Sequence, residues 1–191
     1  MPSVFDVLGR DHLEVKRMMD DLETGPTTAA GADVSQLVLR KELVDKLIIE
    51  VSRHEAVEEM YFWPAVRRYL PGGEAMAEKA VAQEQDAKKT LDLLDRLGAG
   101  VPEFEELLAR FIGAAREHIA FEEGIVWPGL AQVLSAQQGA GLGQQLEEAK
   151  ATAPTRPHPG VPASPGLLKG AGPLAAAADK VRDIISGRGS P

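Results

Sequence analysis

The chain has 191 residues, enough for one domain with its own buried core. It has no cysteine, which excludes disulfide frameworks, zinc fingers, iron–sulfur clusters and thiol nucleophiles, and leaves His, Asp, Glu and Tyr to hold any metal. A formal net charge of −8 argues against nucleic acid as a partner, and the apolar runs are too short for a membrane span.

The first residues, MPSVFDVLGRDH, lack a basic region followed by an apolar stretch, so no secretory signal is expected and a cytoplasmic protein is. Ser3 with Asp6 reads as a capping box. It opens a helix over VFDVLGRDHLEVKRMMDDL, with Phe5, Leu8, Val15, Met19 and Leu22 on its apolar face. TGPTTAAGAD is a loop. A second helix is expected from Ser35 through LVDKLIIEVSRHEAVEEMYFW, broken or kinked by Pro64. A third runs from Glu74 to Leu97, and a fourth from Pro102 to Trp127 and Pro128. A weaker fifth covers 136–149. No segment alternates with period two, so the expected fold class is all-α, an antiparallel up-down-up-down four-helix bundle over residues 1–150.

Composition changes near residue 150. Residues 151–191 hold seven prolines and six glycines, the pattern of a polyproline-like or disordered tail, with a short helix expected after Pro173. The tail carries five basic and two acidic residues, a net of +3, which leaves −11 on residues 1–150. That asymmetry would let the tail dock, but its composition favours a solvated segment.

An internal repeat carries the chemistry. His54-Glu-Ala-Val-Glu-Glu-Met-Tyr-Phe-Trp-Pro64 and His118-Ile-Ala-Phe-Glu-Glu-Gly-Ile-Val-Trp-Pro128 share the form HxAxEExxxWP, 64 residues apart. A His and a Glu four residues apart lie on one helix face and can reach one metal ion. His54 and Glu58 interrupt the stripe of Leu47, Val51 and Tyr61. His118 and Glu122 interrupt that of Leu108, Phe111, Ala115 and Ile125. Both pairs should face the core, where an unpaired carboxylate is costly and calls for cations or protons. Glu59 and Glu123 turn about 100° away, toward the flank or solvent. His12 falls on the first helix's apolar stripe, and Glu84 on the stripe of Ala80, Ala87, Leu91 and Leu94. The candidate metal ligands are therefore His12, His54, Glu58, Glu84, His118 and Glu122, a mix that suits iron or manganese in a dinuclear site.

Other residues have plainer explanations. Tyr61, seven residues after His54, is a further candidate ligand, though such a tyrosine is more often core. Glu55 is another, disfavoured by its phase. HEAVE lacks the second histidine of a zinc protease. Trp63 and Trp127 are expected to plug the bundle ends, and His158 lies in the tail away from any ligand set.

RDH at His12 and the two HxxxEE segments with their following prolines resemble the hemerythrin-like, or HHE cation-binding, family over roughly residues 4–134. The resemblance implies a four-helix bundle holding a non-haem diiron centre. Members bind oxygen, sense oxygen or iron, or defend against oxidants and nitric oxide. By position His12, His54, Glu58, His118 and Glu122 match family ligands. The third helix departs from the pattern: it has Gln83-Glu84-Gln85, with no histidine between residues 55 and 117. Hard anionic ligands favour the ferric state, so oxidase, peroxidase-like or iron-handling chemistry is expected over reversible oxygen carriage. The resemblance thus implies two iron ions in preference to manganese, a small diatomic or peroxide ligand, and a role in oxidative stress or iron handling. Two alternatives are a sensing module that signals to a protein partner through the tail, and a metal-free interaction bundle with protonated core carboxylates.

Overall fold

The structure, a computed structural model, describes residues 1–160 and 174–183. The reciprocal cap expected at Ser3 is present, with Asp6 N–H donating to the Ser3 side chain, and it starts α1 (Val4–Thr24). Asp33, not Ser35, caps α2 (Val34–Val57): Gln36 stands three residues on and closes the box with its side chain.

Pro64 does not break the second rod. Between Glu58 and Phe62 the helix widens into a π turn, in which Trp63 N–H donates to the Glu58 carbonyl five residues back. The helix then continues as α3 (Trp63–Tyr69). A proline ring clashes with the carbonyl four residues before it in α geometry, and the wider turn relieves that clash. The chain reverses through Gly72, whose φ of 74° suits only glycine comfortably, into α4 (Gly73–Arg96). The second copy of the repeat uses the same device: α5 (Pro102–Phe121), a π turn at Glu122–Val126, then α6 (Trp127–Val133). A Ser135 cap opens α7 (Ala136–Lys150), and residues 174–183 form α8.

Each π turn adds one residue and rotates everything after it by about 100°. This corrects two expectations. Phe62 takes the inward place expected of Tyr61, and Val126 the place expected of Ile125. Ile125 is exposed, and Tyr61 faces a surface groove with Met60, Pro64 and Leu142.

Helix α1 packs on α2 and α5, and α4 packs on the same two, which closes a ring of four. The core has two apolar layers. One holds Leu8, Val57, Trp63, Ala80 and Val126, and the other Val15, Val51, Leu91 and Phe111. Helices α1 and α4 run from the first layer to the second, and α2 and α5 run back, so the direction alternates up and down. Between the layers lies a polar slice. Burying each large apolar side chain contributes about 1.5–3 kcal/mol, so the layers are the reservoir that offsets the cost of that slice.

Two features lock the periphery. Buried Arg40 holds Glu105 of α5 through two hydrogen bonds of 2.8 and 2.7 Å and donates to the Leu22 carbonyl near the end of α1. Helix α7 lies against α1 and the chain start so closely that a Cβ on Gly143 would stand 2.4 Å from the Pro2 carbonyl oxygen.

A solvated tail does not describe residues 151–160 and α8. Arg156 pairs with Asp95 of α4 at 2.8 Å and with Asp183 of α8. Asp179 is fully buried and accepts from the backbone N–H groups of Thr155 and Arg156. The Pro/Gly-rich stretch 161–173 lies outside the described residues. Among the described residues no strand occurs, and no helix is long and apolar enough to cross a membrane.

Candidate metal centre

The polar slice is built from one turn of each rod. α1 contributes His12, α2 contributes His54 and Glu58, α4 contributes Glu84, and α5 with its π turn contributes His118 and Glu122. All six sequence-derived candidates are brought together, and their ligand atoms fall into two groups. His12, His54, Glu58 and Glu122 form one, and Glu58, Glu84 and His118 form the other. Within each group the atoms lie within 4.8 Å of one another, and Glu58 belongs to both. Glu122 also spans them: Oε2 lies 3.0 Å from His12 Nε2, and Oε1 lies 3.4 Å from His118 Nε2.

The histidine rings are oriented from behind. Nδ1 of His12 donates to Glu123 Oε1 at 3.0 Å, Nδ1 of His54 to Asp11 Oδ2 at 3.3 Å, and Nδ1 of His118 to Gln83 Oε1 at 3.1 Å. A carboxylate or amide carbonyl oxygen can only accept, so the proton of each neutral ring sits on Nδ1 and the Nε2 lone pair faces the centre. Nε2 of His12 and of His54 are 3.2 Å apart. Two lone pairs aimed at each other at that distance need a cation or a proton between them. Orienting partners of this kind fix the tautomer and strengthen a metal-binding imidazole.

Several core atoms have no hydrogen-bond partner beyond the other candidate ligands: both oxygens of Glu58, both of Glu122, Oε2 of Glu84 and Nε2 of His118. Leaving one buried acceptor unsatisfied costs about 1–3 kcal/mol, and a charged one more. Five carboxyl groups, Glu55, Glu58, Glu59, Glu84 and Glu122, are buried here with one ammonium, Lys88. The donor set and its deficit of positive charge fit hard or borderline divalent cations bound by oxygen and imidazole.

Protonation responds to the same deficit. Burial, and then the charges of Glu58, Glu59 and Glu55, push the Glu84 carboxyl well up. Burial and the charge of Glu122 push Glu58 up, and burial pushes Glu55 to about 7. Burial opposes the charged form of His54, but Glu58 and Asp11 outweigh it and raise the ring well above its ordinary range. Burial likewise opposes a charged His118, and Glu122 outweighs it and raises the ring. Burial would raise Glu122, but His118 and His12 hold it well down.

The remaining candidates separate. Tyr61 lines the surface groove instead, because the π turn rotates it off the face of His54. Glu55 lies outside both ligand groups, yet is buried in the wall of a cavity of about 40 Å³ beside His54, Glu84 and His118. Glu59 is buried, not exposed, and accepts from Lys88 at 2.6 Å and Gln85 at 3.1 Å. Glu123 is half-buried and paired with Lys16. The tryptophans cover the slice instead of plugging the ends. Trp127 stacks on the His12 ring with centroids 4.8 Å apart, and the Trp63 indole N–H donates to Glu84 Oε1. Asp11, Gln83 and Lys88 were missed in the sequence. Lys88 had a signal, since it follows Glu84 by one helical turn on the same stripe.

Comparison with known proteins gives a consistent picture. The family model described as Hemerythrin HHE cation binding domain matches residues 3–130. A hemerythrin-like protein of Schizosaccharomyces pombe is 30% identical over 142 residues, covering 74% of this chain and 70% of that protein. A DNA nickase of Nostoc is 20% identical over 148 residues, which is 78% of this chain but only 39% of that protein's length. The crystal structure of a Hemerythrin HHE cation binding domain-containing protein from Mycobacterium kansasii superposes with a TM-score of 0.63 at 19% identity. That match covers 94% of this chain and 99% of the other.

Proposed function

The chain belongs to the Hemerythrin HHE cation-binding family, and from that premise we propose that its polar slice holds two iron ions, in preference to manganese, and binds or reacts with dioxygen, peroxide or nitric oxide. His12 and His54 would hold one ion and His118 and Glu84 the other, with Glu58 and Glu122 shared. The observation that carries this reading is the pair of ligand-atom groups joined through Glu58, whose two oxygens are buried and have no other partner.

When bound, the metal pair supplies an open coordination position and one-electron redox chemistry. The protein does the rest. Asp11, Glu123 and Gln83 hold the three rings in one tautomer. The two apolar layers keep bulk water from the slice. The cavity, with room for one small molecule, limits access by size. A cytoplasmic setting and a role in oxidative stress or iron handling belong to the same reading.

Metal analysis with absorption spectra before and after dithionite and air tests it. About two irons per chain with oxo-bridge bands is the expected result. Little metal even after anaerobic iron loading would mean that protons satisfy the core carboxylates, as the raised Glu84 and Glu58 allow.

A second reading, a sensing module that signals through its C-terminal segment, is favoured by one contact. Arg156 ties residues 151–160 and α8 to Asp95, on the helix that carries Glu84. Deleting residues 151–191 should then abolish partner binding and leave the metal spectrum intact.

A further inference from the structure

One polar side chain of the cavity wall is committed to nothing. Val15, Val51, Ala87, Phe111, Ala115 and Ile119 make the apolar part of the lining. Of the polar part, the three histidines are engaged through Nδ1, and Gln83 Oε1 is taken by His118. Glu84 is held by Trp63 and belongs to a ligand group. Glu55 remains. It is buried, its Oε2 accepts no hydrogen bond, and it belongs to neither ligand group. Lys88, the cation that acts on it most strongly, donates to Glu59 instead.

We propose that Glu55 is the recognition group of this cavity and selects a ligand that carries an O–H donor, hydrogen peroxide, over dioxygen and nitric oxide, which carry none. The inference rests on the metal reading above for what holds the ligand's other end. Beside bound metal cations the ionised form is favoured, and a carboxylate oxygen can only accept, so it matches an O–H donor and offers nothing to a ligand that lacks one. The cavity of about 40 Å³ has room for hydrogen peroxide and disfavours bulky organic hydroperoxides. An unpartnered buried acceptor is costly, and a ligand that donates to it recovers that cost only when bound. Dioxygen and nitric oxide recover none of it.

The test compares iron-loaded wild type with Glu55→Gln, which keeps an acceptor oxygen, and Glu55→Met, which removes it at similar length. Hydrogen peroxide is the donor probe, and azide, which only accepts, is the control. The expected result is a loss of about tenfold in kcat/KM for peroxide in Glu55→Met, and a change within about threefold in Glu55→Gln. The azide Kd, read from the absorption spectrum, should weaken in neither, and iron per chain should stay at the wild-type value. Parallel weakening of peroxide and azide would make Glu55 a packing residue and overturn the proposal. Loss of iron in both variants would make it a ligand, with the same consequence. A wild type that binds iron and azide but is indifferent to peroxide would overturn this inference alone. A wild type that binds no metal would overturn both readings.

Discussion

The indole N–H of Trp63 donates to Oε1 of Glu84, so the carboxylate that α4 contributes to the slice has one buried oxygen, Oε2, without a partner. On the other side of the slice Trp127 stacks against His12. These are the chain's two tryptophans, and each touches a different ligand group.

Each half can therefore be read by its own fluorophore. In Trp127→Phe the remaining indole reports the Glu84 and His118 group, and in Trp63→Phe it reports the His12 and His54 group. Stepwise iron addition should quench both emissions, and unequal affinities should separate the two quenching curves. Trp63→Phe also strands Glu84 Oε1, at a cost of about 1–3 kcal/mol in the metal-free protein, measurable by urea denaturation.

Sharing of Glu58 makes metal stoichiometry asymmetric among the carboxylates. Glu84→Gln removes a ligand from one group and should leave about one iron per chain, whereas Glu58→Gln touches both groups and should leave less. Asp11→Ala frees the ring of His54 and should weaken metal binding by about 10–100-fold without removing a ligand. Metal analysis after dialysis against a graded chelator series distinguishes the three variants.

Metal-free stability should fall as pH rises through neutrality. Glu55 titrates at about 7 folded and near 4.5 unfolded, so between those values the unfolded chain releases its proton first. Alone this removes about 3 kcal/mol across that window. His54 and His118 act in the same direction: their folded pKa values are raised, so their contribution is complete below 6.5 and is lost above the raised values. On the acid side Glu122, Glu123 and Asp11 are depressed, and their contribution is lost as pH falls below the ordinary carboxylate range. Melting temperature against pH should peak on the mildly acidic side without metal. Bound metal should move the peak upward in pH, because ligation displaces the protons.

Helix α7 depends on a missing methyl group. In Gly143→Ala the new Cβ meets backbone atoms, Pro2 O at 2.4 Å and Ser3 C at 2.8 Å, which cannot rotate away. A loss of about 1–3 kcal/mol is expected by thermal denaturation. Gly141→Ala meets nothing within 4 Å and should be neutral or slightly stabilising through helix propensity.

The slice was legible in the sequence because histidines and carboxylates at four-residue spacing are anomalous on an apolar stripe. That signal located His54, Glu58, His118 and Glu122 by repetition, and His12 and Glu84 by phase, and the structure gathers all six. The π turns were not legible. A proline signals an interruption, but not that the helix survives with one residue more per turn, so Tyr61 and Ile125 were assigned places that Phe62 and Val126 occupy. Burial of Glu59 depends on Lys88 reaching it from another helix, a contact that no single-helix pattern contains. The clasp of Arg156 with Asp95 and Asp183 was equally hidden, because composition reports only that the tail is rich in proline and glycine.

The widened turns also set which genetic changes the chain can survive. A point substitution at 60 or 61 alters one side chain, but losing or gaining one codon between His54 and Trp63 turns the indole away from Glu84 and carries Phe62 off the core. The same frame holds from His118 to Val126. In related chains these two windows should keep constant length while letters vary at positions off the slice and core, such as 61, whereas the Thr24 to Asp33 connection, outside the slice, is free to lengthen or shorten.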